Sequence, residues 1–100
     1  MNTHPMKLVT IVSEALARAP LTRLLAEVGA HGYTVAAVEG AGAKGARAGD
    51  ISEGANIRLE VVVPPAVAAD LLARLARDFF PHYAIVAWES DVRVLRREKF

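Results

Sequence analysis

Apolar positions recur along the chain at two spacings, one near 2 and one near 3.6 residues. Residues 7–13, KLVTIVS, are short, apolar and β-branched, which predicts a strand. Leu21, Leu24, Leu25 and Val28 follow at i, i+3, i+4 and i+7, the stripe of one helix face. Pro20 suits the first turn of that helix, where its missing N–H costs nothing. Gly29 and Gly32 suit its end. Residues 33–38, YTVAAV, predict a second strand, and residues 56–63, NIRLEVVV, a third that starts alternating and finishes fully apolar. Pro64 and Pro65 then interrupt the chain. Val67, Leu71, Leu72, Leu75 and Phe79 predict a second helix over 66–80, and residues 83–88, YAIVAW, a fourth strand. The basic tail SDVRVLRREKF alternates well enough to predict a short extra edge strand.

The order βαββαβ specifies an α+β, ferredoxin-like fold: an antiparallel sheet with two helices on one face. A two-fold βαβ repeat is implicit in it. Two helices cover only one face. Yet TIV, VVV and AIVAW are continuous apolar runs, the pattern of strands buried on both sides. A second copy of the chain is the expected cover, so the sequence predicts an oligomer packed sheet to sheet.

Composition agrees. Hydrophobic residues make up 53% of the 100 positions, more than a lone small domain needs. Twelve Lys/Arg against eleven Asp/Glu leave the chain near neutral, which argues against a generic nucleic-acid binder. Without cysteine there is no disulfide or thiolate metal site. The apolar runs are far too short for a membrane span and no signal-peptide pattern opens the chain, so a cytoplasmic protein that does not insert in membranes is expected. The whole chain, 1–100, reads as one domain.

Residues 40–55 do not fit the alternation. Sixteen residues without an element in so small a domain are usually functional or disordered. Gly40, Gly42, Gly45, Gly49 and Gly54 permit close backbone approach to an anion, and Lys44 and Arg47 add charge suited to phosphate. A plain connector with incidental charges fits the composition as well. The GxG here does not open a helix, so the dinucleotide fingerprint fails. His4, His31 and His82 lack metal-ligand spacing, and Ser13, Glu14 and His82 form no ordered hydrolytic trio. Asp50, Glu53 and Glu60 are spread as solvated acids are. Arg93, Arg96, Arg97 and Lys99 read mostly as a solvated edge, with one or two able to reach a ligand on a neighbouring subunit. Trp88 on the fourth strand reads as core.

In their order and spacing, GYTV at 32–35, GAKGAR at 42–47, ANIRLEVVV at 55–63, HYAIVAW at 82–88 and SDVRVLRREKF at 90–100 resemble the PII signalling superfamily. More narrowly they resemble its PII-like branch linked to bicarbonate transport and carboxysomes, the SbtB and carboxysome-associated PII proteins. The resemblance spans nearly the whole chain. It implies a homotrimer with an adenine nucleotide in each inter-subunit cleft. It also implies that residues 40–55 are the T-loop that reports ligand state to a partner, with residues 90–100 as the C-terminal segment. Ser13 and Glu14 match the pair ending the first strand near ribose and phosphates, and Thr34 matches a threonine at the cleft. Gly42, Lys44, Gly45 and Arg47 match the phosphate-binding loop base. Glu60 and Val62 match positions lining the adenine pocket, and Tyr83 and Ala84 take the B-loop position. Arg96 is matched to the C-terminal phosphate-binding arginine.

Departures refine this. FFPHYA replaces the glycine-rich B-loop of true PII proteins, and the T-loop lacks the uridylylated tyrosine, which disfavours a triphosphate and 2-oxoglutarate nitrogen sensor. The cysteine-containing tail of the SbtB group is missing as well. The resemblance then implies a non-enzymatic signalling protein binding ADP or AMP, with cyclic AMP and ATP as further candidates. It further implies bicarbonate as a co-ligand on Lys44 and Arg47, and a bicarbonate transporter or carboxysome-associated protein as the target. Ordering the glycine-rich loop costs about 1–2 kcal/mol per residue, which phosphate contacts would offset. Three alternatives stand beside this reading. One is a trimeric metal-binding protein like CutA, one a slow nucleotide phosphohydrolase using Glu14 or Glu53, and one an amino-acid-binding regulatory domain.

Overall fold

The computed structural model describes residues 2–42, 45–46 and 56–100. Four strands form the main sheet: β1 (His4–Glu14), β2 (Thr34–Ala37), β5 (Asn56–Val63) and β6 (Ile85–Val94). Two helices, α1 (Arg18–Val28) and α2 (Pro65–Arg74), complete the βαββαβ order. The sheet runs β2-β5-β1-β6, and every neighbouring pair is antiparallel. Two short strands, β3 (Ala41–Gly42) and β4 (Gly45–Ala46), pair with each other in the 40–55 segment. The expectation of sixteen residues without any element is corrected to that extent. The rest of the segment lies outside the described residues.

Local chemistry sets the helix boundaries. Pro65 opens α2, and it forces the preceding Pro64 into extended backbone, with φ −61° and ψ 154°. Gly29 closes α1 in the left-handed region at φ 88°. Its N–H reaches the Ala26 carbonyl, and the Ala30 N–H reaches that of Leu25 at 2.9 Å, the Schellman pattern. The first helix starts earlier than Pro20 suggests: a single 3-10 turn, Ala15–Ala17, leads from β1 straight into it. The second helix ends in a π-turn, Leu75–Phe79. Leu71, Leu75 and Phe79 are four apart, so a turn with one extra residue still aims all three inward. Arg74 joins the helices, pairing with Asp70 at 3.1 Å and with Glu27 of α1 at 3.7 Å.

The core lies between the helices and one sheet face. Val9, Ile11, Leu59, Val61 and Val63 meet Leu21, Leu24 and Leu25 of α1 and Ala68 and Leu71 of α2. Alternation sends every second residue to the opposite face. Register places Leu8, Thr10 and Val12 there with Glu60, Val62, Thr34, Val86 and Trp88. Among the described residues no helix covers this face: Val86 is 49% exposed and Trp88 48%. Trp88 is therefore not a core residue of the single chain. Its place opposite Thr10 on β1 turns it away from the helices. The basic tail adds no separate edge strand. Its first half continues β6 to Val94, and a short 3-10 turn, Arg97–Lys99, follows.

Candidate functional site

The paired strands β2 and β5 begin the site. Thr34 stands opposite Glu60, and Thr10 of β1 stands on the other side of Glu60. The buried Thr10 hydroxyl donates to the Glu60 carboxylate at 3.4 Å. Leu8 pairs with Val62 one pleat further along the same face. Leu8, Thr34, Glu60 and Val62, together with Gly32, Tyr33, Val61 and Phe100, line an open groove of about 370 Å³. Three of the residues expected from sequence, Thr34, Glu60 and Val62, thus line one groove.

The groove has a definite chemical character. Its walls are aliphatic and aromatic, its polar side chains include a threonine hydroxyl and a carboxylate, and no cation lines it among the described residues. A carboxylate repels phosphate and accepts hydrogen bonds from N–H and O–H groups. The groove therefore suits an uncharged, hydrogen-bond-donating group better than an anionic one.

A second cluster forms at the far end of β1. Glu14 accepts the Ala84 N–H on Oε2 at 2.9 Å, joining the end of β1 to the loop before β6. The neighbouring Ser13 is fully buried, and its hydroxyl donates to the Glu14 carbonyl at 2.8 Å. Tyr83 turns its ring onto Phe79, with centroids 5.7 Å apart, and so braces the π-turn and core. Thr10 and Glu14 are four residue steps apart along the strand, about 13 Å. Within one chain, the two clusters are separate.

The other expected residues fall as follows. Gly42 and Gly45 face each other in the β3–β4 ladder. Lys44 and Arg47 lie outside the described residues, as do Asp50 and Glu53. Arg96 is exposed and pairs with Glu98 at 3.4 Å. Among the described residues, no three His, Asp or Glu side chains converge as metal ligands. Among them too, no helix is long and apolar enough to cross a membrane. Sequence reasoning missed Tyr33, although it sits inside GYTV, and Leu8 and Phe100. Leu8 reads as one more strand aliphatic, and Phe100 joins the groove only because the tail turns back over the sheet.

The family model for nitrogen regulatory protein P-II matches residues 6–99. Among solved structures, a PII-like signalling protein from Thermus thermophilus is 45% identical, with 100% of this chain and 99% of that one covered and a TM-score of 0.84. CPII from Thiomonas intermedia, bound to ADP and bicarbonate, is 29% identical over 99% of this chain and 97% of that one, with a TM-score of 0.86. The same protein bound to ADP, AMP and bicarbonate gives 28% identity, coverage of 99% and 96%, and a TM-score of 0.85. No curated protein matches the chain.

Proposed function

The chain belongs to the nitrogen regulatory protein P-II family, and on that premise we propose that it is a PII-like signal-transduction protein that binds ADP or AMP between the subunits of a homotrimer. Bicarbonate is its co-ligand, and the 40–55 segment carries the ligand state to a partner in inorganic-carbon uptake or carboxysome function. The observation that carries this reading is the convergence of Thr34, Glu60 and Val62 on one groove fit for a nucleoside.

Because none of the groove's described residues is a cation, the phosphates are assigned to other groups: Lys44 and Arg47 of the loop, and Arg96 of a tail. The Glu14–Ala84 cluster of an adjacent subunit would complete the cleft. The uncovered apolar sheet face favours such an assembly, because exposed patches of this kind mark interaction surfaces. The structural relatives bound to ADP, AMP and bicarbonate support the choice of ligands. A ligand acts on the partner only so far as it binds the two loop states unequally.

Calorimetry with AMP and ADP, each with and without bicarbonate, tests the reading. Binding of either nucleotide is expected, and binding of neither would refute it. Joint replacement K44A/R47A should weaken the nucleotide at least about tenfold, the scale of lost charge-assisted hydrogen bonds. Unchanged affinity would remove both residues from the site.

A further inference from the structure

The groove holds two aromatic residues that no site expectation included. Tyr33 enters from the segment before β2 and is 48% exposed. Phe100 enters from the tail after β6, the strand at the opposite edge of the sheet from β2. It is half-buried, whereas residues 95–99 are all exposed. The tail leaves β6 at Val94, beside His4, and turns back so that Phe100 reaches the level of Leu8 and Val62. Among the described residues, the one aromatic pair in contact is Phe79–Tyr83, so the rings of Tyr33 and Phe100 do not stack on each other. Each retains a face for something else.

We infer that Tyr33 and Phe100 are the stacking walls of this groove and hold the planar base of the nucleotide by its faces. The inference rests on the nucleotide reading above and adds to it the residues that select a flat aromatic ligand. The division of labour follows from the lining. Glu60 and Thr34 offer hydrogen-bond partners to the edge of a base but have no means of holding its faces. Aromatic rings do that, and they are tolerant of which base is present. The 3-10 turn at Arg97–Lys99, closed by N–H bonds from Lys99 to Arg96 and from Phe100 to Arg97, sets where the second wall stands.

The test is AMP titration of the full chain by calorimetry, with proton spectra of the bound base. In the wild type, the base H2 and H8 signals should move upfield through ring currents. Tyr33→Ala and Phe100→Ala should each weaken AMP about five- to hundredfold, the scale of one base–aromatic stack, and should reduce those shifts. Tyr33→Phe should stay within about twofold of wild type, because the ring and not the hydroxyl does the holding. Phe100→Leu keeps an apolar side chain but removes the π face, and it should behave like Phe100→Ala even if the alanine variant folds poorly. Wild-type affinity in Tyr33→Ala and Phe100→Leu would overturn the inference while leaving the nucleotide reading intact. Tighter binding in Phe100→Leu would also overturn it, by making the ring a plug and not a wall. A wild-type chain that binds no AMP or ADP would instead overturn the reading beneath.

Discussion

On the helix side of the sheet, Val9, Ile11, Leu59, Val61 and Val63 are all at most 2% exposed. On the other side, Leu8, Val12 and Val62 are only half-buried, and Val86 and Trp88 stand about half in solvent. The residue types hardly differ between the faces; the cover does. The helix side has its cover inside the chain, so its apolar content is explained there. The open side carries a similar apolar content with no helix over it among the described residues, interrupted by polar residues such as Thr10, Thr34, Glu60, Arg58 and Ser90. This teaches that an apolar strand run reports a need for burial without saying whether the burying surface belongs to the same chain. It also shows why a groove with few polar groups lies where it does, on the face still able to receive something.

The contrast can be broken first from the helix side. Leu71→Ala removes a fully buried side chain and should cost about 2–5 kcal/mol, read as a lower denaturant midpoint. A loss below about 1 kcal/mol would mean that this side is less tightly filled than its burial indicates. From the open side, Trp88→Asp should leave the helical circular dichroism in place and weaken self-association about thirtyfold or more, read by light scattering across a dilution series. Unchanged association would show that this face is not where copies meet. Gly29→Ala concerns neither face. Its added Cβ meets nothing within 4 Å, so only the backbone angle is strained, and a loss of about 1–2 kcal/mol is expected in thermal melts.

The smallest effect concerns pH. Arg77 donates to both carboxylate oxygens of Asp78, at 2.7 and 2.8 Å, and holds that acid below its ordinary range. A lowered folded-state value stabilises above the ordinary aspartate range and is lost as pH falls through the folded-state value. The pair is exposed, so the drop in melting temperature should be slight, and Asp78→Asn should flatten it. A steeper acid slope in the variant than in wild type would contradict the assignment.

Much of this fold is legible in the sequence. Residues 56–63 read as a strand and form one with those same limits, because β-branched residues there end at two prolines. Gly29 stops α1 as expected. The limits of reading appear where non-local contacts decide. Glu89, Ser90 and Asp91 look like the end of the fourth strand, but Lys7 on β1 lies 3.9 Å from Glu89 and 2.6 Å from Asp91, and the strand runs on to Val94. Trp88 reads as core because composition cannot say which side of a sheet it occupies. In the site, Thr34, Glu60 and Val62 were legible through family resemblance, and the structure brings them together. Phe100 was not, since only a chain reversal after Val94 brings it there.

The position of β1 also constrains how the protein comes into being. This strand is central, yet neither neighbour is near it in sequence: β5 begins at Asn56, and on the β6 side Arg93 bonds to Thr3, 90 positions earlier. During synthesis the first strand emerges with no partner on either edge. It stays half-paired until the last strand clears the ribosome. Such distant pairing slows folding and leaves an apolar strand open to wrong partners meanwhile. The hydrogen bond between Glu14 and Ala84, 70 positions apart, can form only once Ala84 has been made. Pairing of the sheet is therefore completed late, and β1 is the segment a nascent chain most needs to have shielded.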